Sequence, residues 1–253
     1  IKQIIEIHNR PYLVNLIKSK ISTSHKLTLF LHNDPLEMKG SKSIEDRINL
    51  LNKVEKVYCV SNFIKNKFLS GINHNHSKVT VLYNGIERVL NKFPRKKKEV
   101  VFVGRIVEEK GVHLYSDAIK EISNVFKEWR FKIVGSKNLG DNTKSSDYSE
   151  TVLREFLNIS KKTEVTGFLS HNDVQQIMIK ASIIVIPSIW EEPFGLVAAE
   201  AMSNGMAIIS SDKGGLKEVV KKNGIILKSL SSIEIAKELR KLLGDSKLRI
   251  SYQ

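Results

Sequence analysis

The chain has 253 residues, 41% of them apolar, enough for one large domain or two medium ones with real cores, and no run approaches the length of a membrane span. A single cysteine, Cys59, lies in the apolar run Val57-Tyr-Cys-Val60 and reads as a buried strand thiol; with no secretory leader visible, a cytoplasmic location is expected. The net charge of +14 is uneven: residues 1–99 hold 19 Lys/Arg against 8 Asp/Glu, or +11, and residues 100–253 hold 22 against 19, or +3. Nucleic acid, an anionic membrane surface and a merely Lys-rich surface all fit that excess. No nucleic-acid motif or run of exposed aromatics accompanies the charge. The basic N-terminal half is therefore expected to meet the inner face of the plasma membrane, and no nucleic acid is expected as a partner.

In chain order, strands are predicted over 3–8, 27–32, 56–60 and 79–82. Helices are predicted over 12–20 and 43–53, and from the Ser61-Asn62 cap through Leu69. Residues 88–98 are charged and weakly periodic and include Arg95-Lys-Lys-Lys98, so a domain boundary is placed there. One domain is expected over 1–93 and a second over 94–253. Strands follow over 99–103, 131–134, 163–166, 181–187, 207–210 and 225–227. Helices are expected over 111–127, 150–158, 170–180, 195–204 and 232–243, with a Gly-, Asn-, Asp- and Ser-rich loop running through Ser149. Apolar strands alternating with helices mean parallel sheets covered on both faces. The predicted fold is α/β, with two Rossmann-like parallel-sheet domains.

In such sheets ligands sit beyond the carboxyl ends of the strands. Five loops there carry chemistry. Gly104-Arg-Ile-Val-Glu-Glu-Lys-Gly111 has a tight turn at Gly104 and two cations, Arg105 and Lys110, suited to a diphosphate. Gly135-Ser136 permits close backbone approach to a flat base, and Gly167-Phe168-Leu169-Ser170 either lines a base pocket or belongs to the core. Ser188-Ile-Trp-Glu-Glu-Pro-Phe-Gly195 feeds a helix N-terminus, a place for phosphate, between the carboxylates Glu192 and Glu200. Carboxylates are poor phosphate ligands but good acceptors for sugar or ribose hydroxyls. Ser211-Asp-Lys-Gly-Gly215 closes the far side.

These motifs occur in order: Gly104-Arg105, Lys110-Gly111, Pro187-Ser188, Glu192-Pro-Phe-Gly-Leu196, Glu200-Ala-Met202, Gly214-Gly215 and Glu218-Val219. Together they resemble the nucleotide-sugar-binding domain of the retaining GT-B glycosyltransferases, glycosyltransferase family 4 (glycosyl transferases group 1). Glu192 and Glu200 match the family's E-x7-E motif. In the first half, His32-Asn-Asp-Pro35, Val60-Ser61 and Tyr83-Asn-Gly-Ile-Glu87 also resemble it, the first in the manner of members that build bacterial surface polysaccharide.

The resemblance implies a role for each matching residue. Arg105 and Lys110 would hold the diphosphate as leaving group, Glu192 would bind donor-sugar hydroxyls, and Glu200 would accept from the ribose. Phe194, Gly195 and Leu196 would present backbone N–H groups, and His32 would face the donor sugar from the acceptor-side half. It implies a nucleotide-sugar donor, most simply UDP-linked, and a glycan or glycolipid acceptor such as lipopolysaccharide. It also implies retention of configuration with no protein nucleophile, no metal and no other cofactor. A family member opens with a strand and Gly-rich loop that nothing here matches, so the N-terminal domain is expected to be incomplete. A non-catalytic nucleotide-sugar-binding fragment and a nucleotide-sugar epimerase of the same architecture are the alternatives. His8, His25, His113 and His171 read as structural or solvent-facing, and His74 with His76 as a polar loop rather than a metal site. Trp190 is expected to pack, and Glu191 to face solvent.

Overall fold

Short apolar runs bounded by turn residues become the strands of two all-parallel sheets. The computed structural model describes residues 3–22, 24–73, 76–87, 95–136 and 147–253. Their contacts divide the chain into two units, Ile1–Gly85 and Ile86–Gln253. The boundary expected at 93/94, the loop over 137–146 and His74 lie outside the described residues.

In the first unit, β1 (Ile4–His8), β2 (Lys26–Leu31), β3 (Lys56–Cys59) and β4 (Val79–Val81) pair in chain order. Between them run α1 (Tyr12–Lys18), α2 (Ile44–Lys53) and α3 (Asn62–Leu69). Ser43 starts α2 through a reciprocal capping box with Asp46. Ser61 starts α3 by accepting the Ile64 N–H at 3.1 Å. Leu27, Leu29 and Leu31 are buried on one face of β2, so Thr28 and Phe30 take the other. The register sets His8 beside Phe30, and Phe30 beside Tyr58. Cys59 is a buried thiol as expected, and burial pushes its pKa up to about 12.

The second unit has strand order β10-β9-β8-β5-β6-β7. Its strands are β5 (Lys97–Val103), β6 (Arg130–Val134), β7 (Thr163–Val165), β8 (Ala181–Ile186), β9 (Ala207–Ser210) and β10 (Ile225–Ile226). Its helices are α4 (Val112–Ile122), α5 (Asp147–Leu157), α6 (His171–Lys180), α7 (Leu196–Ser203), α8 (Leu216–Val220), α9 (Ser232–Gly244) and α10 (Ser246–Ser251). Alternation along the strands feeds two cores. Val100, Phe102, Ile183, Val185, Ala207 and Ile209 join the layer of α4, α5 and α9. Val101, Ile184, Ile186 and Ile208 join that of α6, α7 and α8. The order reverses between β5 and β8, so the loops that follow these two strands open side by side.

One expectation needs correction, and two further features were not read from the sequence. The helix expected over 111–127 ends at Ile122, whose carbonyl takes both the Val125 and Phe126 N–H groups in a closing turn. The helices α8 and α10 were not expected, because five or six residues are too few to display a helical period. The run Arg95-Lys-Lys-Lys98 is not one cationic face. Lys96 turns inward and donates to the carbonyls of Met178, Ile179 and Asn204 at 3.2, 2.8 and 2.5 Å, joining the ends of α6 and α7. Burial draws its pKa down to about 8, while Lys98 pairs with Glu128 at 3.6 Å.

Candidate active site

The β5–β8 switch point gathers three loops around Glu192. The loop after β5 reaches the loop after β8 through one carbonyl: Glu109 O accepts from Ile189 N at 2.8 Å, Trp190 N at 3.1 Å and Ser188 Oγ at 3.3 Å. The loop after β9 holds the other side, with Gly215 N donating to Glu192 O at 2.6 Å. Two glycines permit this interlock. A side chain on Gly111 (φ 68°) would put Cβ 2.0 Å from Pro187 O, and one on Gly214 (φ 56°) would put it 2.2 Å from Glu192 O. The Glu192 backbone is thus pinned before its side chain makes any contact.

That side chain accepts from Ser188 Oγ at 2.8 Å and forms an ion pair with Lys110. Ser188 is 1% exposed, so the carboxylate is anchored from the protein side. The Lys110 ammonium also lies over the Trp190 ring, 5.1 Å from its centroid. Trp190 is 42% exposed and so does not pack inward as expected; it forms a wall for the lysine. Glu191 does more than face solvent: it accepts from Gly214 N at 2.6 Å and holds the Gly214-Gly215 turn. Arg105 is exposed and has no ion pair among the described residues. The loop therefore presents one cation parked on a carboxylate and another open to an anion.

The remaining expected ligands of the second unit follow the ends of β5, β6 and β7 or lie at the start of α7 and along it. Gly104, Gly135 and Gly167 end β5, β6 and β7 in a chain of backbone contacts: Gly104 N donates to Val134 O at 3.0 Å and Gly135 N to Gly167 O at 3.1 Å. Phe168 follows with 54% exposure and is not core, while Leu169 is half-buried. Phe194 buries its side chain, Gly195 caps α7 in a left-handed conformation (φ 103°), and Leu196 opens the helix exposed. No side chain caps the first turn of α7, the end of a helix at which an anion can be met. Glu200, one turn on, is half-buried without a hydrogen bond to its carboxylate among the described residues. Burial raises its pKa, and nearby His171 opposes the rise. An unpartnered carboxylate of this kind is suited to accept from hydroxyls.

His32 lies at the end of β2 in the first unit. Asn9, at φ 52°, accepts the His32 main-chain N–H at 2.7 Å. His32 Nε2 is 2.9 Å from Nδ1 of His8, with the two rings within 10° of parallel. Burial, and secondarily His8, lowers the His32 pKa below the ordinary 6.5, so the ring is neutral at pH 7. Asp34 accepts from Leu36 N at 2.9 Å and pairs with Lys67 at 3.2 Å, which leaves His32 as the ligand candidate of its motif. Sequence reasoning read His8 as structural or solvent-facing, Trp190 as packing and Glu191 as solvent-facing, and gave Ser188 no role of its own. Ser188 carried a signal, as a hydroxyl placed directly after an apolar strand; His8 carried none, because its partner is 24 residues away.

A family model described as glycosyl transferases group 1 matches residues 86–252. An uncharacterized glycosyltransferase of Methanocaldococcus jannaschii is 30% identical over 92% of the chain and 62% of its own length. A putative glycosyltransferase of Bacillus subtilis is 28% identical over 97% of the chain and 65% of its own length. The chain thus spans somewhat under two thirds of these relatives. Among solved structures, Anabaena HepE in complex with UDP matches with a TM-score of 0.80 at 21% identity, covering 98% of this chain and 72% of that one.

Proposed function

The chain belongs to the glycosyl transferases group 1 family, and on that premise we propose that it serves a retaining glycosyltransferase taking a sugar from a UDP-linked donor to a surface glycan or glycolipid such as lipopolysaccharide. The observation that carries this reading is the Lys110–Glu192 pair at the switch point, with Arg105 open beside it. A diphosphate entering there takes the Lys110 ammonium and the Arg105 fork. Glu192, still held by Ser188, turns its lone pairs to sugar hydroxyls. Glu200 accepts from the ribose, and the first turn of α7 faces the phosphate. HepE was solved with UDP, and a lipopolysaccharide N-acetylglucosaminetransferase of Salmonella typhimurium is 28% identical over 58% of the chain; both agree with this choice of donor and acceptor.

In the reaction the bond from the anomeric carbon to the diphosphate oxygen breaks, and the acceptor oxygen bonds the same carbon on the same face. The acceptor proton passes to the departing phosphate, whose charge Arg105 and Lys110 stabilise. No protein nucleophile, metal or other cofactor enters this scheme. Carboxylates that flank a glycosidic bond work differently; here Glu192 and Glu200 bind hydroxyls. We further propose a cytoplasmic protein whose +11 first 99 residues favour an anionic leaflet, a reading that salt-independent recovery with neutral and anionic liposomes alike would refute.

The test is a thermal-shift screen of nucleotide sugars on the protein at full length, followed by transfer assays with the donors that stabilise it. Stabilisation by a UDP-sugar with acceptor-dependent transfer supports the proposal. Binding without transfer would indicate a non-catalytic module, and conversion without an acceptor would indicate an epimerase.

A further inference from the structure

A cavity opens in the second unit beside the Lys110–Glu192 centre. It has a volume of about 410 Å³ and is lined by Val107, Glu108, Glu109, Tyr148 and Ile189. That volume falls in the roughly 300–1,000 Å³ range of small-molecule sites. Two of its walls come from the loops that carry the centre. Val107, Glu108 and Glu109 directly precede Lys110, and Ile189 lies three residues before Glu192. The Glu109 carbonyl holds these walls together by accepting the Ile189 N–H at 2.8 Å. Tyr148, in the first turn of α5, is fixed through its hydroxyl, which lies 2.8 Å from His113 Nδ1 and accepts the His113 main-chain N–H at 3.3 Å. On the reading of the Lys110–Glu192 centre as the donor site, we propose that this cavity is the subsite of the acceptor, and that it takes a neutral or amino sugar rather than an anionic one.

The lining matches a sugar ring in chemistry. Val107, Ile189 and the Tyr148 ring offer apolar surface to the C–H face of a pyranose, and Ile189, 40% exposed, gains cover from it. Glu108 and Glu109 are exposed, and among the described residues neither carboxylate has an ion pair or a hydrogen bond. Burial raises the Tyr148 pKa and the His113 N–H opposes the rise; the charge of Glu108 adds to it, so that carboxylate acts on the phenol across the cavity. A carboxylate accepts from hydroxyl and ammonium groups and repels a phosphate or a uronate. Arg105 and Lys110, on the same loop, draw the diphosphate instead. One loop thus sorts two substrates by charge and seats them side by side, which restricts their approach before the bond forms.

The probes are the methyl glycosides of glucose, glucosamine and glucuronic acid, titrated into the whole chain with and without UDP and followed by 1H–15N correlation spectra. The glucoside and glucosaminide should shift the amides of 107–109 and 148 in both conditions, with the glucuronide about fivefold weaker. Glu108→Lys should reverse that order by a similar factor, a change of preference that misfolding does not produce. Ile189→Trp, which fills the cavity, should raise the acceptor KM about tenfold and leave the donor KM unchanged. Displacement of the glycosides by UDP would place the cavity inside the donor site and overturn the proposal. So would unshifted amides with all three probes, or a Glu108→Lys protein that keeps the wild-type order. Should UDP fail to bind or the chain transfer no sugar, the donor reading fails, and the titrations without UDP still decide whether the cavity takes a neutral or amino sugar.

Discussion

Glu192 and His32 are each fixed from several sides, but by different means. Glu192 stands where three loops interlock, with its main chain pinned by Gly215 and its side chain by Ser188 and Lys110. His32 is held within one sheet by a neighbouring strand, through Asn9 on its backbone and His8 on its ring. In the first arrangement a local error displaces a whole loop. In the second it removes one hydrogen bond and leaves the strands paired. Substitutions near Glu192 should therefore act abruptly, and those near His32 by degrees.

The largest effect is expected at the ion pair itself. Glu192→Ala or Lys110→Ala should lower transfer by roughly 10²–10³-fold, the loss typical of a charge-stabilising group, while circular dichroism and melting stay near wild type. Undiminished turnover in either variant would remove the assignment. Next is Gly214→Ala, which forces a side chain into φ 56° against Glu192 O. A strained residue of this kind costs on the order of 1–3 kcal/mol, and calorimetry should record a lower melting temperature together with lost transfer. Wild-type melting and activity in that variant would show that the loops are not interlocked as described.

A smaller effect belongs to Glu200. Its pKa is raised by burial, so on acidification it gains its proton at a higher pH than an ordinary carboxyl and stops being a pure acceptor. Donor affinity should fall as the pH drops through that raised value. Glu200→Gln should bind about tenfold more weakly and lose the dependence, a change measurable by titration calorimetry. The smallest effect concerns Lys96. The unfolded chain keeps this proton to near the ordinary 10.5, whereas the folded chain releases it at about 8. Between those values the unfolded state binds more protons, so this group makes stability rise with pH. Lys96→Met should flatten that rise in denaturant titrations, and an unchanged slope would contradict the inward placement.

Much of this was legible in the sequence because the relevant signals are local. Continuous apolar runs such as 181–186 disclosed the buried parallel strands, and Ser43, Ser61 and Ser170 disclosed helix starts that the caps bear out. Gly111 and Gly214 marked the loops now seen to press on Pro187 and Glu192. What was not legible depends on partners distant in sequence. Lys96 reads as part of a basic run until Met178, Ile179 and Asn204 are brought to it. Trp190 reads as packing until Lys110 is found over its ring. His8 acquires a role only when β1 and β2 pair in a register that sets it beside Phe30, two residues before His32.

The central claim is that the β5–β8 switch point recognises a diphosphate by exchanging the Lys110–Glu192 ion pair for a ligand contact. Calorimetric titration of the protein with UDP and with uridine isolates that recognition from base and ribose. Charge-assisted hydrogen bonds of about 1.5–3 kcal/mol each predict UDP binding at least a hundredfold tighter than uridine, with Lys110→Ala and Arg105→Ala each cutting the ratio about tenfold or more. Equal affinity of wild type for UDP and uridine, or an unchanged ratio in both variants, would contradict the account.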